Sequence, residues 1–104
     1  MNSAPAPTAE LQTPEGDRSR VVGVLHFTTV TALLHAGAAA IANGRASVID
    51  LSGVIDSDSS GLALLIEWLS IARAERRPLR YEKIPAQLLQ LARLSDVEEL
   101  LTAQ

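Results

Sequence analysis

The stretch Asp56-Ser57-Asp58-Ser59-Ser60 alternates carboxylates with hydroxyls and runs directly into Gly61-Leu62-Ala63-Leu64. A hydroxyl delivered to the first turn of a helix sits among unsatisfied N–H groups and a partial positive charge. A phosphate carried on Ser59 is stabilised in such a place. Asp58, one residue earlier, caps the helix or contributes to a phosphotransfer site completed by a partner. A plainer reading of the same pair is structural: Asp58 and Ser59 are N-caps and nothing more, worth about 0.5–2 kcal/mol. Both readings stand at this point.

Other chemistry is hard to assemble. His26 and His35 are the only side chains able to act as bases near neutral pH. One adjoins Phe27 in an apolar strand and the other adjoins Leu34 in a helical run, surroundings in which a histidine is ordinarily a surface or half-buried structural group. Neither sits in an HExxH pattern, and the chain has no phosphate-binding glycine loop of either common type. Cysteine is absent, which removes thiolate nucleophiles, disulfides and cysteine-bound zinc. No cofactor or metal is expected. A small enzyme built on Asp56, Asp58 and His26 is the reading of last resort, because acids confined to one loop are usually caps.

The chain has 104 residues, 47% of them hydrophobic and 20% charged, enough for one small core. Nine basic against twelve acidic side chains leave a net charge of −3. With Phe27, Trp68 and Tyr81 as the only aromatics, this balance argues against a nucleic-acid binder. The N-terminal MNSAPAPTAE has neither a basic nor an apolar targeting region. The apolar runs at 36–42 and 62–66 are far below the roughly 18 residues that span a bilayer. A cytoplasmic location is the expectation.

The elements that must position the Asp56–Ser60 stretch follow from periodicity and punctuation. Residues 1–19 read as a flexible tail, with room for a short edge strand near 10–13. Residues 21–27 are β-branched and read as a strand, after which Thr28 and Thr29 offer an N-cap to a helix over 30–42. Asn43-Gly44 ends that helix. Residues 46–51, framed by Gly44 and Gly53, read as a central strand covered on both faces. Residues 53–60 read as a loop, and a second helix runs to about Ala74 before Pro78 stops it. An edge strand at 79–83, a helix opened by Pro85 and a short last helix after Ser95-Asp96 complete an α/β domain over 20–104.

The second helix carries two apolar stripes. Leu62, Leu65, Ile66, Leu69 and Ala72 keep core spacing, while Leu64, Trp68 and Ile71 lie on another face. A one-sheet domain rarely needs both. The second stripe, with Asp58, Ser59, Ser60 and Gly61 at its head, is therefore expected to contact another protein, with Trp68 as anchor. The alternative is packing under the tail or a neighbouring helix. Arg73, Arg76 and Arg77 either rim this surface or form an ordinary solvated face.

The run IDLSGVIDSDSSGLALLIEW resembles the STAS domain, the fold of the anti-sigma-factor antagonists, over about residues 20–101. Asp58-Ser59-Ser60-Gly61-Leu62 looks like that family's signature, in which the first hydroxyl, Ser59 here, is the phosphorylation or contact position. The resemblance implies a single mixed sheet of about four to five strands with helices packed on it. Antagonists commonly carry G-E-L-D after the early strand; Gly23-Val24-Leu25-His26 stands there instead, without either acid. Residues 62–73, 85–92 and 97–101 are more similar to the small STAS subunit of the Mla phospholipid-transport system. That resemblance implies a non-enzymatic subunit on the cytoplasmic ATPase of an inner-membrane ABC transporter. Such a subunit supports assembly and ATPase activity in the service of outer-membrane lipid asymmetry, and reaches the membrane only through the complex. Ser59 is then an interface hydroxyl. On the antagonist branch it is a phosphorylated switch. Either leaves room for a weak homodimer.

Overall fold

The structure, a computed structural model, describes residues 6–102. Four strands form one mixed sheet in chain order. β1 (Ala9–Glu15) pairs antiparallel with β2 (Arg18–Leu25), which lies parallel to β3 (Val48–Ser57), which lies parallel to the edge strand β4 (Arg80–Glu82). Helices α1 (Phe27–Ala42) and α2 (Ser59–Ala74) follow β2 and β3, and α3 (Ala86–Leu94) and α4 (Glu98–Thr102) follow β4. This is the mixed α/β architecture expected from the sequence.

One face of the sheet is dry and the other wet. Ser19, Ile49 and Tyr81 stand in one cross-strand row and are buried, as are Val21, Leu25 and Leu51. Helices cover that side: the Tyr81 hydroxyl donates to the Leu65 carbonyl of α2 at 2.5 Å. Burial of so polar a group without charge partners pushes the Tyr81 phenol well above its ordinary range. The neighbouring row, Arg20, Asp50 and Glu82, belongs to the open face, where Glu82 pairs with both Arg18 and Arg80. The hydrogen bonds from these two arginines hold the Glu82 carboxyl below its usual value. The strand at 46–51 is central as expected, but helices cover it on one face rather than two.

Two sequence expectations are corrected. Residues 9–15, read as tail with room for a short edge strand near 10–13, form a full edge strand, because Leu11 stands opposite Val21 and packs against the core. The loop expected from Gly53 is instead strand up to Ser57. Gly53 does not end β3; it lets the strand pass Val22, whose Cγ1 would lie 2.6 Å from an added Cβ. The ladder then continues through Val54 and Asp56 across two bulges in β3, the second of which leaves Ile55 as the extra, unpaired residue. The proposed tail residues 1–5 lie outside the described residues.

The first three helices end alike. Arg45, Arg77 and Val97 donate their backbone N–H groups to Ala40, Ala72 and Ala92 respectively, five residues back, as in a Schellman motif. Each motif needs one residue at positive φ: Gly44 at 74°, Arg76 at 55° and Asp96 at 61°. Only the first of these is glycine, so α2 and α3 close with a side chain in the left-handed region.

Candidate functional site

β2 and β3 run parallel, so their C-terminal ends, and the N-termini of the helices that follow, emerge at one edge of the sheet. Leu25 stands opposite Ser57, and the Asp58 N–H donates to the Leu25 carbonyl at 3.0 Å. This pairing sets His26-Phe27 beside Asp58-Ser59. The open ends of two helices therefore meet at one place.

Each helix start is built differently from its sequence expectation or in agreement with it. α1 begins three residues early, at Phe27 rather than residue 30: His26, not Thr28 or Thr29, is its N-cap. Thr29 is turned inward, where its Oγ1 accepts from the His26 N–H at 3.1 Å and donates to the Val24 carbonyl at 2.7 Å. α2 begins at Ser59 with Asp58 as N-cap, and Asp58 Oδ1 accepts from the Ser60 N–H at 2.8 Å. Partial burial pushes the Asp58 carboxyl up. The Ser60 hydrogen bonds, the nearby His26 and the Phe27 backbone amide together outweigh it and hold the group below the usual aspartate range. His26 Nε2 lies 3.1 Å from Asp56 Oδ2 at the surface.

Ser59 occupies the first helical position and is exposed, and its hydroxyl has no hydrogen-bond partner among the described residues. Ser60 is half-buried and faces an apolar groove of about 370 Å³ between α1 and α2, lined also by Val30, Thr31, Leu34, Ala63 and Leu64. Phe27 and Ile55, at the same edge, are 74% and 80% exposed. They give this edge an open apolar character; elsewhere Leu94, the last residue of α3, is 85% exposed. Neither edge side chain is legible in the sequence: Phe27 closes the apolar run 21–27, which reads as strand, but is the first residue of α1, and Ile55 falls in 53–60, which reads as loop.

The expected contact stripe fails at its centre. Trp68 is fully buried: its indole lies over Gly37 of α1 and its Nε1 donates to the Leu34 carbonyl at 3.3 Å. Leu64 is 4% exposed, and Ile71 is half-buried against the core. Gly61 is buried too, pressed on Leu25 and the Ser57 hydroxyl. The second stripe packs on the neighbouring helix, because the small residues of α1 leave a notch that only a large side chain fills. Arg73, Arg76 and Arg77 lie at the far end of α2, where Arg77 donates to the Ala42 carbonyl at 2.9 Å and so caps α1.

Asp56, Asp58 and His26 do come together, but they line none of the larger clefts among the described residues. His35 is exposed on α1, away from them in sequence and without an ion pair among the described residues. Among these residues no group of three or more potential ligands could hold a metal ion, and no helix is long and apolar enough to cross a membrane.

Comparison with known proteins agrees with this architecture. A family model described as the Mlab STAS domain matches residues 9–102. Among solved structures, the anti-sigma factor antagonist SpoIIAA in its unphosphorylated form superposes with a TM-score of 0.66 at 16% identity, covering 86% of this chain and 82% of the other. The Bacillus cell fate determinant SpoIIAA in its phosphorylated form gives 0.64, also at 16% identity, covering 86% and 84%. No curated protein matches the chain.

Proposed function

The chain belongs to the STAS domain family, and we propose that it is a non-enzymatic accessory subunit that docks on the cytoplasmic ATPase of an Mla-type ABC phospholipid transporter. One observation carries the reading: an exposed, unpartnered Ser59 hydroxyl at the same sheet edge as the exposed Phe27 and Ile55. A hydroxyl on the first turn of a helix, at the same sheet edge as two open apolar side chains, suits a protein surface better than a small substrate. Burying a phenyl and a sec-butyl group stabilises a complex by about 1.5–3 kcal/mol each before ordering costs. By binding the assembled, active arrangement of the ATPase more tightly than the separated one, the domain favours assembly and turnover. It reaches the membrane only through the transporter, and no phospholipid need touch it.

Co-purification with the transporter's ATPase tests the reading. The wild-type chain is expected to co-elute with it, and Ser59→Asp is expected to release it. Failure of the wild-type chain to bind an ATPase from the same source would overturn the proposal.

A second reading is favoured by the likeness to SpoIIAA and by the openness of Ser59: an anti-sigma-factor antagonist switched by phosphorylation. A phosphate on Ser59 would add about −1.5 to −2 charge beside Asp56 and Asp58. Incubation with a cognate kinase and ATP, followed by intact-mass measurement, separates the two. A single phosphate on Ser59 speaks for the switch.

A further inference from the structure

We propose that the far end of α2 is a self-association face whose occupant is a second copy of this chain. An apolar groove of about 470 Å³ runs between α2 and α4, with Ile66, Leu69, Leu79 and Leu100 in its walls and Arg73 and Arg77 on its rim. Leu100 is 49% exposed and also borders the next cleft, which carries Asp96, Glu98 and Glu99 against the single cation Arg93 and so is net anionic. One open leucine thus divides a cationic half from an anionic half.

Part of this charge is left open within the molecule, although Arg77 also donates to the Ala42 carbonyl. Glu98 is held by Arg93 at 2.7 Å, but neither Arg73 nor Glu99 has an ion-pair partner among the described residues. A patch with an apolar centre and opposite charges on its two sides complements itself under a two-fold axis. With the axis at Leu100, each leucine meets its copy, and Arg73 and Arg77 face the partner's Glu99 and the partner's Asp96. A foreign surface of either single sign would be attracted by one half and repelled by the other. The choice of a second copy follows from that balance.

The face is independent of the Ser59 edge. α2 has 16 residues and so places about 24 Å between its ends. A dimer built here leaves both Ser59 turns open and presents them as a pair, so that two weak dockings act together.

Sedimentation equilibrium of the full chain from roughly 10 µM to 1 mM tests the inference. Wild-type chain is expected to show a monomer–dimer equilibrium that weakens with salt. Arg73→Glu alone and Glu99→Arg alone should each lower the association constant by at least about tenfold, because each places like charges opposite one another twice. Mixing the two single variants should restore association as a heterodimer, and the double exchange R73E/E99R should restore it within one chain. Both positions are exposed, and an unchanged denaturation midpoint checks that each variant is folded. A strict monomer over this range would overturn the inference, including one that instead sediments with anionic phospholipid vesicles. So would a dimer that both single variants leave intact.

Discussion

Gly37 of α1 and Trp68 of α2 form a notch and the side chain that fills it. A Cβ at residue 37 would fall within 2.5 Å of the indole Cζ2 and closer still to Nε1 and Cε2. The same contact lets Nε1 reach the Leu34 carbonyl, so the only tryptophan leaves no polar atom unsatisfied. Gly37→Ala should therefore cost more than helix propensity gains, with a net loss of about 1–3 kcal/mol from overpacking. Urea denaturation followed by tryptophan fluorescence measures it. A neutral or stabilising effect would contradict the packing.

The end of α2 offers the opposite experiment. Arg76 holds φ at 55° in a motif that glycine fills without strain, as Gly44 does for α1. Arg76 is exposed and has no ion pair among the described residues. Arg76→Gly should raise stability by about 0.5–1 kcal/mol, the relief of a left-handed side chain less the added freedom of the unfolded glycine. A lower thermal midpoint would show that the arginine makes an unrecognised contribution.

Asp58 ties stability to pH in a defined direction. Its carboxyl is held below the ordinary value of 3.8, so the charged form is favoured in the folded chain. The stabilisation is present above the unfolded pKa and is lost as pH falls through the lower folded one. Asp58→Ala should cost about 0.5–2 kcal/mol at neutral pH. The gap between variant and wild type should hold down to about pH 5 and then close on acidification through and below 3.8. A gap that stays constant into acid would mean that Asp58 acts by packing rather than by charge.

Much of this was legible from the residues, and the failures share a cause. Helix α2 was readable end to end because Asp58 caps it, its apolar spacing is regular and Pro78 follows it. The parallel pair β2 and β3 was readable as two β-branched runs flanking a helix. Trp68 was misplaced because what buries it is a missing side chain on another helix. A sequence shows Gly37 as a weak helix residue, not as a socket. Phe27 was missed because an apolar side chain in a β-branched run reads as core whether or not anything covers it, and Ile55 because the glycine and hydroxyl residues around it read as loop. The cap at Asp58 and the helix start at Ser59 depend only on local geometry, and so were legible.

The docking edge makes a prediction that separates binding from folding. Phe27 and Ile55 contribute little to the monomer because most of each side chain is already in water. Phe27→Ala and Ile55→Ala should each leave the denaturation midpoint within about 0.5 kcal/mol of wild type. Trp68→Ala should instead destabilise the domain by about 3–5 kcal/mol, so its effect on binding says nothing about an interface.

The most direct test is the dissociation constant of the full chain for its transporter ATPase, measured by titration calorimetry for wild type and for the Phe27→Ala/Ile55→Ala double variant. The account predicts binding by the wild-type chain and a loss of about 100-fold or more in the double variant, with both proteins equally folded. An affinity that survives both truncations unchanged would contradict it, because the partner would then be gripping some other face.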